Sequence, residues 1–199
     1  MKIVFATGNA NKFNEVRDIL SDLPVEIHSL KEFPDLPETV EDGATLVENA
    51  LKKAREACEF TKMTAIADDS GLFVDALNGA PGVFSARYAG ENCTYSDNNK
   101  KLLEAMNGLK PAKRSAHFSC VAAIVMPDGE EHTCSGVLNG RIAEEMHGDG
   151  GFGYDPLFKL PDGRTMAEIS SEEKNAISHR AKAFTVLKKL IEQILNRDE

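Results

Sequence analysis

The chain is short of positive charge. Lysine and arginine number 23 against 32 aspartates and glutamates, a net charge of −9, which excludes the basic surface that nonspecific nucleic-acid binding needs. A small anionic substrate is not excluded, because a metal ion and a few lysines reverse the sign locally. Cysteine is scarce too. Cys58, Cys93, Cys120 and Cys134 form no C-x-x-C pair and have no histidines at zinc spacing, so reduced thiols and a cytoplasmic location are expected. No apolar run is long enough to span a membrane, and Met1-Lys2-Ile3-Val4-Phe5 leads straight into a strand-like run without a secretory signal. Internal repeats, low-complexity segments and long linkers are lacking, as is a phosphate loop of the G-x-x-x-x-G-K-[ST] kind.

What is present is an ordinary globular composition, 42% hydrophobic and 28% charged over 199 residues. A chain of this size buries roughly 70% of its unfolded surface and needs no staples. One domain over residues 1–199, two lobes sharing one core, is expected. The chain is organised around Ala65-Ile66-Ala67-Asp68-Asp69-Ser70-Gly71, where an apolar run meets two carboxylates, a hydroxyl and a glycine. The run reads as a buried strand ending at this cluster. Alternation along a strand points Asp68 and Asp69 in different directions. Two buried neighbouring charges need compensation, of which a metal ion is one source; an Asp-Ser-Gly turn capped by Asp69 is the other reading of the segment.

The rest of the chain supplies the context. Ile3 to Ala6 reads as a strand, followed by Thr7-Gly8-Asn9-Ala10-Asn11-Lys12 and a helix with Phe13, Val16, Leu20 and Leu23 on one face. Lys12 in the first turn opposes the helix dipole unless an anion is bound there, while a plain Gly-Asn turn explains the segment equally well. Val25 to Leu30 reads as a strand, and Lys31 to Gly43 as an irregular acid-rich loop. A capping box, Thr45 to Glu48, opens a second helix that carries Lys53. The loop from Asn78 to Gly90 is too long for a plain connection. Thr94 to Leu109 reads as a helix. Ser115 to Met126 and Glu131 to Leu138 form a hairpin on the turn Pro127 to Glu130, with Met126 opposite Glu131. Phe152 and Tyr154 stand among the glycines of residues 148–156, which suits a planar ligand as well as a loop docked on the core. A second capping box at Ser170 to Glu173 precedes a last helix with Ile177, Ala181, Phe184, Leu187, Leu190/Ile191 and Ile194 on its core face.

Five segments stand in order: Thr7 to Lys12, Ala67 to Gly71, Gly79 to Tyr88, Gly150 to Pro156, and Ser178-His179-Arg180. In this the chain resembles, over essentially its whole length, the inosine triphosphate pyrophosphatase family. The resemblance implies a mixed α/β fold, elongated and two-lobed, with a long central sheet flanked by helices and a cleft between the lobes. It implies a Mg2+-dependent hydrolase that converts ITP, XTP and their deoxy forms to the nucleoside monophosphate and pyrophosphate, working as a homodimer without nucleic-acid or membrane partners. Carried over by position, Thr7, Gly8, Asn9, Ala10, Asn11 and Lys12 would cradle the triphosphate. Asp69 would be general base and metal ligand, with Ser70 on the substrate. Phe152, Gly153, Tyr154 and Asp155 would wall the base and sugar, and Lys174, His179 and Arg180 would complete nucleotide binding. The resemblance also implies a second metal carboxylate before the second helix, which would be Glu38 or Glu41, with Glu41 favoured because it lies nearer the helix.

The chemistry is consistent with those residue types. Cleavage between the α- and β-phosphates needs an in-line water and neutralisation of developing charge. Magnesium needs only one or two carboxylates besides phosphates and waters, and Lys12, Lys53 and Lys174 can offset the remainder. Rejection of adenine needs a donor to purine O6, for which Arg180 or a protonated His179 is the candidate. A phosphoribosyltransferase-like enzyme and a non-catalytic nucleotide-binding protein are the competing classes.

Overall fold

The computed structural model describes residues 1–197. Five α-helices and a seven-stranded mixed sheet make an α/β fold, as expected. The strands are β1 (Lys2–Phe5), β2 (Glu26–Ser29), β3 (Thr64–Val74), β4 (Pro81–Gly82), β5 (Ser115–Val125), β6 (Glu131–Ile142) and β7 (Phe158–Lys159). They run in the order β2-β1-β3-β5-β6-β7, with β4 beside β3. The helices are α1 (Ala10–Ile19), α2 (Leu46–Thr61), α3 (Tyr95–Ala105), α4 (Ser171–Ile177) and α5 (His179–Leu195). The chain divides into two compact units, one of Met1–Asp69, Cys120–Gly136 and 179–197, the other of Ser70–Ser119 and Val137–Ser178. Three strands, β3, β5 and β6, contribute residues to both.

In the first unit β1 pairs in parallel with both β2 and β3, matching Ile3 to Ile27 and Thr64. Ile3, Val4 and Phe5 are fully buried, the pattern of a strand covered on both faces. Asn9 caps α1 by accepting from the backbone N–H groups of Asn11 and Lys12. The capping box at Thr45 and Glu48 starts α2 where the sequence places it. Val16 and Leu20, Phe184, Leu187 and Ile191 of α5, and Cys120, Ala122 and Ile124 of β5 close the core. The second unit has its own core, in which Leu72 and Val74 join Leu102, Met106, Phe118, Leu138, Tyr154 and Phe158. A buried guanidinium, Arg114, donates to the carbonyls of Met106, Ile142 and Ala143 there.

Four expectations are corrected. β3 does not end at Asp68-Asp69 but runs on to Val74, so an Asp-Ser-Gly turn is excluded. It continues because Gly71 lets Gly82 of β4 approach: a Cβ on Gly71 would lie 2.4 Å from the Gly82 carbonyl oxygen. The hairpin is one residue tighter than expected. Met126 N–H donates to Glu130 O and Gly129 N–H to Met126 O, with Gly129 at φ +95°, so a three-residue loop sets the register. β6 extends to Ile142 rather than stopping at Leu138. Ile177 belongs to α4 and is more than a third exposed, because extended backbone at Ser178 separates α4 from α5.

Candidate functional site

The first unit holds a buried network of opposite charges around the centre of β3. Asp68 and Asp69 diverge, as strand alternation requires. The Asp68 side chain has no exposed surface. Lys12 Nζ stands 3.1 Å from its Oδ2, and Arg180 Nε and Nη2 both donate to that oxygen at 3.1 Å. Arg180 Nη1 donates to Glu15 Oε2 at 2.7 Å, and the Cys120 thiol lies 3.8 Å from Asp68. Burial pushes the Asp68 carboxyl up, but Lys12, Arg180 and Lys53 outweigh it and hold the group well below the usual carboxylate range. Asp68 is therefore a fixed negative charge.

Asp69 is built differently. Asn49 Nδ2 donates to its Oδ2 at 3.1 Å, and Lys53 Nζ stands 3.7 Å from its Oδ1. Asn49 and Lys53 lie four residues apart, on one face of α2. Lys53 also donates to Glu41 Oε1 at 2.5 Å, so its ammonium serves two carboxylates. Burial raises the Asp69 carboxyl above its ordinary value and Glu41 adds to this, while Lys53 and Lys12 act against it. Lys53 itself is penalised by burial, but Asp69, Asp68 and Glu41 more than restore its charge. One strand thus presents a carboxyl held below its ordinary range beside one raised above it.

The second unit holds a clasped aromatic loop. Asp155 Oδ2 accepts the Phe152 N–H at 2.8 Å and the Lys174 ammonium at 2.5 Å. The same ammonium stands 4.3 Å from the centre of the Phe152 ring. Tyr154 donates its hydroxyl to Ser85 O at 2.9 Å, and burial pushes its phenol well above the usual range. Ser85 ties the long glycine loop to β3, accepting from Leu72 N–H and donating to Gly82 O.

A profile described as the Ham1 family matches residues 3–190. The chain belongs to the Ham1 family. Relatives support this over the full length. A dITP/XTP pyrophosphatase of Geobacter sulfurreducens is 50% identical over 188 residues, 94% of each chain. One of Desulforamulus reducens is 51% identical over 198 residues, 99% of this chain and 96% of that one. Two solved structures share the fold. A HAM1 protein from Coxiella burnetii superposes with TM-score 0.89 at 44% identity, covering 97% of this chain and 99% of its own. The Staphylococcus aureus Ham1 protein gives 0.86 at 40% identity with the same coverage.

In this Ham1-family chain the residues singled out by sequence fall into two groups. Lys12, Glu41, Asp69 and Arg180 come together in the first unit, and Phe152, Asp155 and Lys174 in the second. Thr7 accepts from Asn9 N–H, Ala10 and Asn11 begin α1, and Gly8 has open space where a side chain would project. Gly153 adopts φ +66°, and Ser70 is half-buried within β3. Of the two glutamates, Glu41 acts on Asp69 and Glu38 lies exposed on the loop. Arg180, 2% exposed, is placed on Asp68 and Glu15, and His179 is buried beside it at the start of α5. Sequence reasoning missed Asn49 and Glu15. The signal for Asn49 was a polar residue four before Lys53 on a helix face otherwise lined by Ala50, Ala54 and Ala57. Glu15 follows Lys12 by three, one turn along α1.

Proposed function

We propose that this protein hydrolyses noncanonical purine nucleoside triphosphates (dITP, ITP and XTP) to the nucleoside monophosphate and pyrophosphate, and so cleanses the nucleotide pool. The observation that carries the proposal is Asp69. It is a buried carboxylate of raised proton affinity, oriented by Asn49 and set beside Glu41, in a chain half identical to dITP/XTP pyrophosphatases. Asp69 acts as general base on the attacking water, and its raised affinity brings it nearer the working pH. Asn49 holds Oδ2, which fixes the direction of the carboxylate. Thr7 to Lys12 hold the triphosphate, with the ammonium of Lys12 in place at the start of α1. Phe152 to Asp155 and Lys174 serve the base and sugar. Arg180 acts through Asp68 and Glu15, which leaves His179 as the candidate donor to purine O6.

Glu41 and Asp69 fit a magnesium ion. They are hard oxygen donors, and Lys53 already stands between them as a stand-in cation. A magnesium ion held by these two carboxylates would supply positive charge against the phosphates. A cytoplasmic location accords with four cysteines outside any disulfide among the described residues, and a homodimer is the proposed assembly. The test is pyrophosphate release from ITP, XTP, ATP and GTP with and without Mg2+. The wild type is expected to cleave ITP and XTP only with the ion present. Asp69→Asn is expected to lose roughly 10²–10⁴-fold in kcat with little change in nucleotide affinity. Turnover of Asp69→Asn close to wild type would remove Asp69 from the role, and equal cleavage of ATP would remove the substrate assignment.

A further inference from the structure

We propose that one face of α3, through Tyr95 and Asn99, positions the Phe152-Gly153 segment and thereby sets how tightly the nucleotide base is held. The inference rests on the assignment of Phe152 to Asp155 to the base and sugar. Tyr95 and Asn99 are four residues apart in α3 and so share a face. The capping box of Thr94 and Asp97 fixes the helix start immediately before Tyr95. Asn99, 4% exposed, donates through Nδ2 to Gly153 O at 2.9 Å. Its Oδ1 is buried with no hydrogen-bond partner among the described residues. An apolar side chain of the same shape would avoid that orphaned acceptor. The bond to Gly153 is what the amide supplies in its place. Gly153 has φ +66°, a conformation open to glycine, and the Asn99 bond is the side-chain contact that ties its carbonyl to α3.

Tyr95 acts on the neighbouring residue. Its ring centre lies 6.2 Å from that of Phe152, with the planes at 41°, within the range of favourable aromatic pairs. Asp155 holds the backbone of Phe152 and Lys174 lies over its ring; Tyr95 supplies a further ring contact. Tyr95 is 46% exposed, so its substitution leaves the core intact. Tyr95 and Asn99 are positioning residues: each works through Phe152 or Gly153.

The experiment compares Asn99→Leu, Tyr95→Ala and Tyr95→Phe with wild type, using two probes, IMP and inorganic pyrophosphate, by calorimetry, together with kcat and KM for ITP. Asn99→Leu and Tyr95→Ala are each expected to weaken IMP binding and raise KM for ITP roughly threefold to tenfold. Pyrophosphate affinity and kcat stay at wild-type values, and Tyr95→Phe, which keeps the ring, restores IMP affinity. General structural damage would weaken both probes together, and that result overturns the proposal. So does wild-type IMP affinity in Tyr95→Ala and Asn99→Leu while the wild type hydrolyses ITP. If Asn99→Leu does not fold, the Tyr95 pair decides. A wild-type protein that neither hydrolyses ITP nor binds IMP overturns the nucleotide assignment itself, and the positioning role falls with it.

Discussion

Replacing Arg180 by leucine removes a guanidinium that donates twice to Asp68, at 3.1 Å, and once to Glu15, at 2.7 Å. Asp68 has no exposed side-chain surface, so water cannot replace the lost donors. Lys12 remains, at 3.1 Å. Breaking a buried pair on one side costs about 3–5 kcal/mol, against a total stability of about 5–15 kcal/mol for such a protein. At roughly 2–4 °C per kcal/mol for a chain of this length, Tm should fall by roughly 6–20 °C. Urea and thermal denaturation with a chelator present measure this free of metal effects. Acid sensitivity should shift as well. The depressed Asp68 carboxyl means that the native state binds fewer protons than the unfolded chain. Its contribution is complete above the ordinary carboxylate range and is lost progressively as pH falls from that range toward the depressed native value. Without Arg180 the native carboxyl is depressed less, so the acid-linked loss is smaller and is complete at a higher pH. An Arg180→Leu protein that melts within about 2 °C of wild type, a difference of under roughly 1 kcal/mol, refutes the reasoning. If that variant altered only the preference among purines, Arg180 would be a base reader rather than the anchor of Asp68.

Other changes follow the same logic. Lys53→Met leaves Glu41 and Asp69 without their shared ammonium and should cost about 1–3 kcal/mol in chelator, much of it regained on adding Mg2+; denaturation with and without the ion tests both halves. Gly71→Ala forces a Cβ to within 2.4 Å of Gly82 O and should destabilise by about 1–3 kcal/mol, so an unchanged urea midpoint would mean that β3 and β4 can separate there freely. Tyr154→Phe deletes a donor to the Ser85 carbonyl and should cost about 0.5–1.5 kcal/mol in the same assay.

Local chemistry was the most legible part of the chain. The divergence of Asp68 and Asp69 follows from strand alternation, and the starts of α2 and α4 follow from Thr45 with Glu48 and Ser170 with Glu173. What local pattern could not reveal was set by backbones meeting across the fold. β3 passes through Asp68-Asp69-Ser70-Gly71 because Gly82, eleven positions on, packs against Gly71. The hairpin tightened because Gly129 takes a left-handed conformation. Arg180, read as a donor to the substrate, is held 112 residues from Asp68 in sequence, and only the packing of α5 brings the two together. Asn99 was illegible for a related reason: its partner is a backbone carbonyl, which leaves no trace in side-chain patterns.

With magnesium at the proposed Glu41 and Asp69 site, Lys53 bears on how the protein would endure a fluctuating metal supply. An ammonium already in place between Glu41 and Asp69 offsets their charge before any ion arrives, so folding is expected not to wait for one. Chelation should then silence turnover while lowering Tm only by the free energy of ion binding itself, leaving the protein folded, and resupply should restore activity with no refolding step. Unfolding of the protein on chelation at room temperature would show that the lysine is no substitute. Where it holds, metal scarcity idles this enzyme instead of destroying it, and the stock of folded protein survives intact until the ion returns.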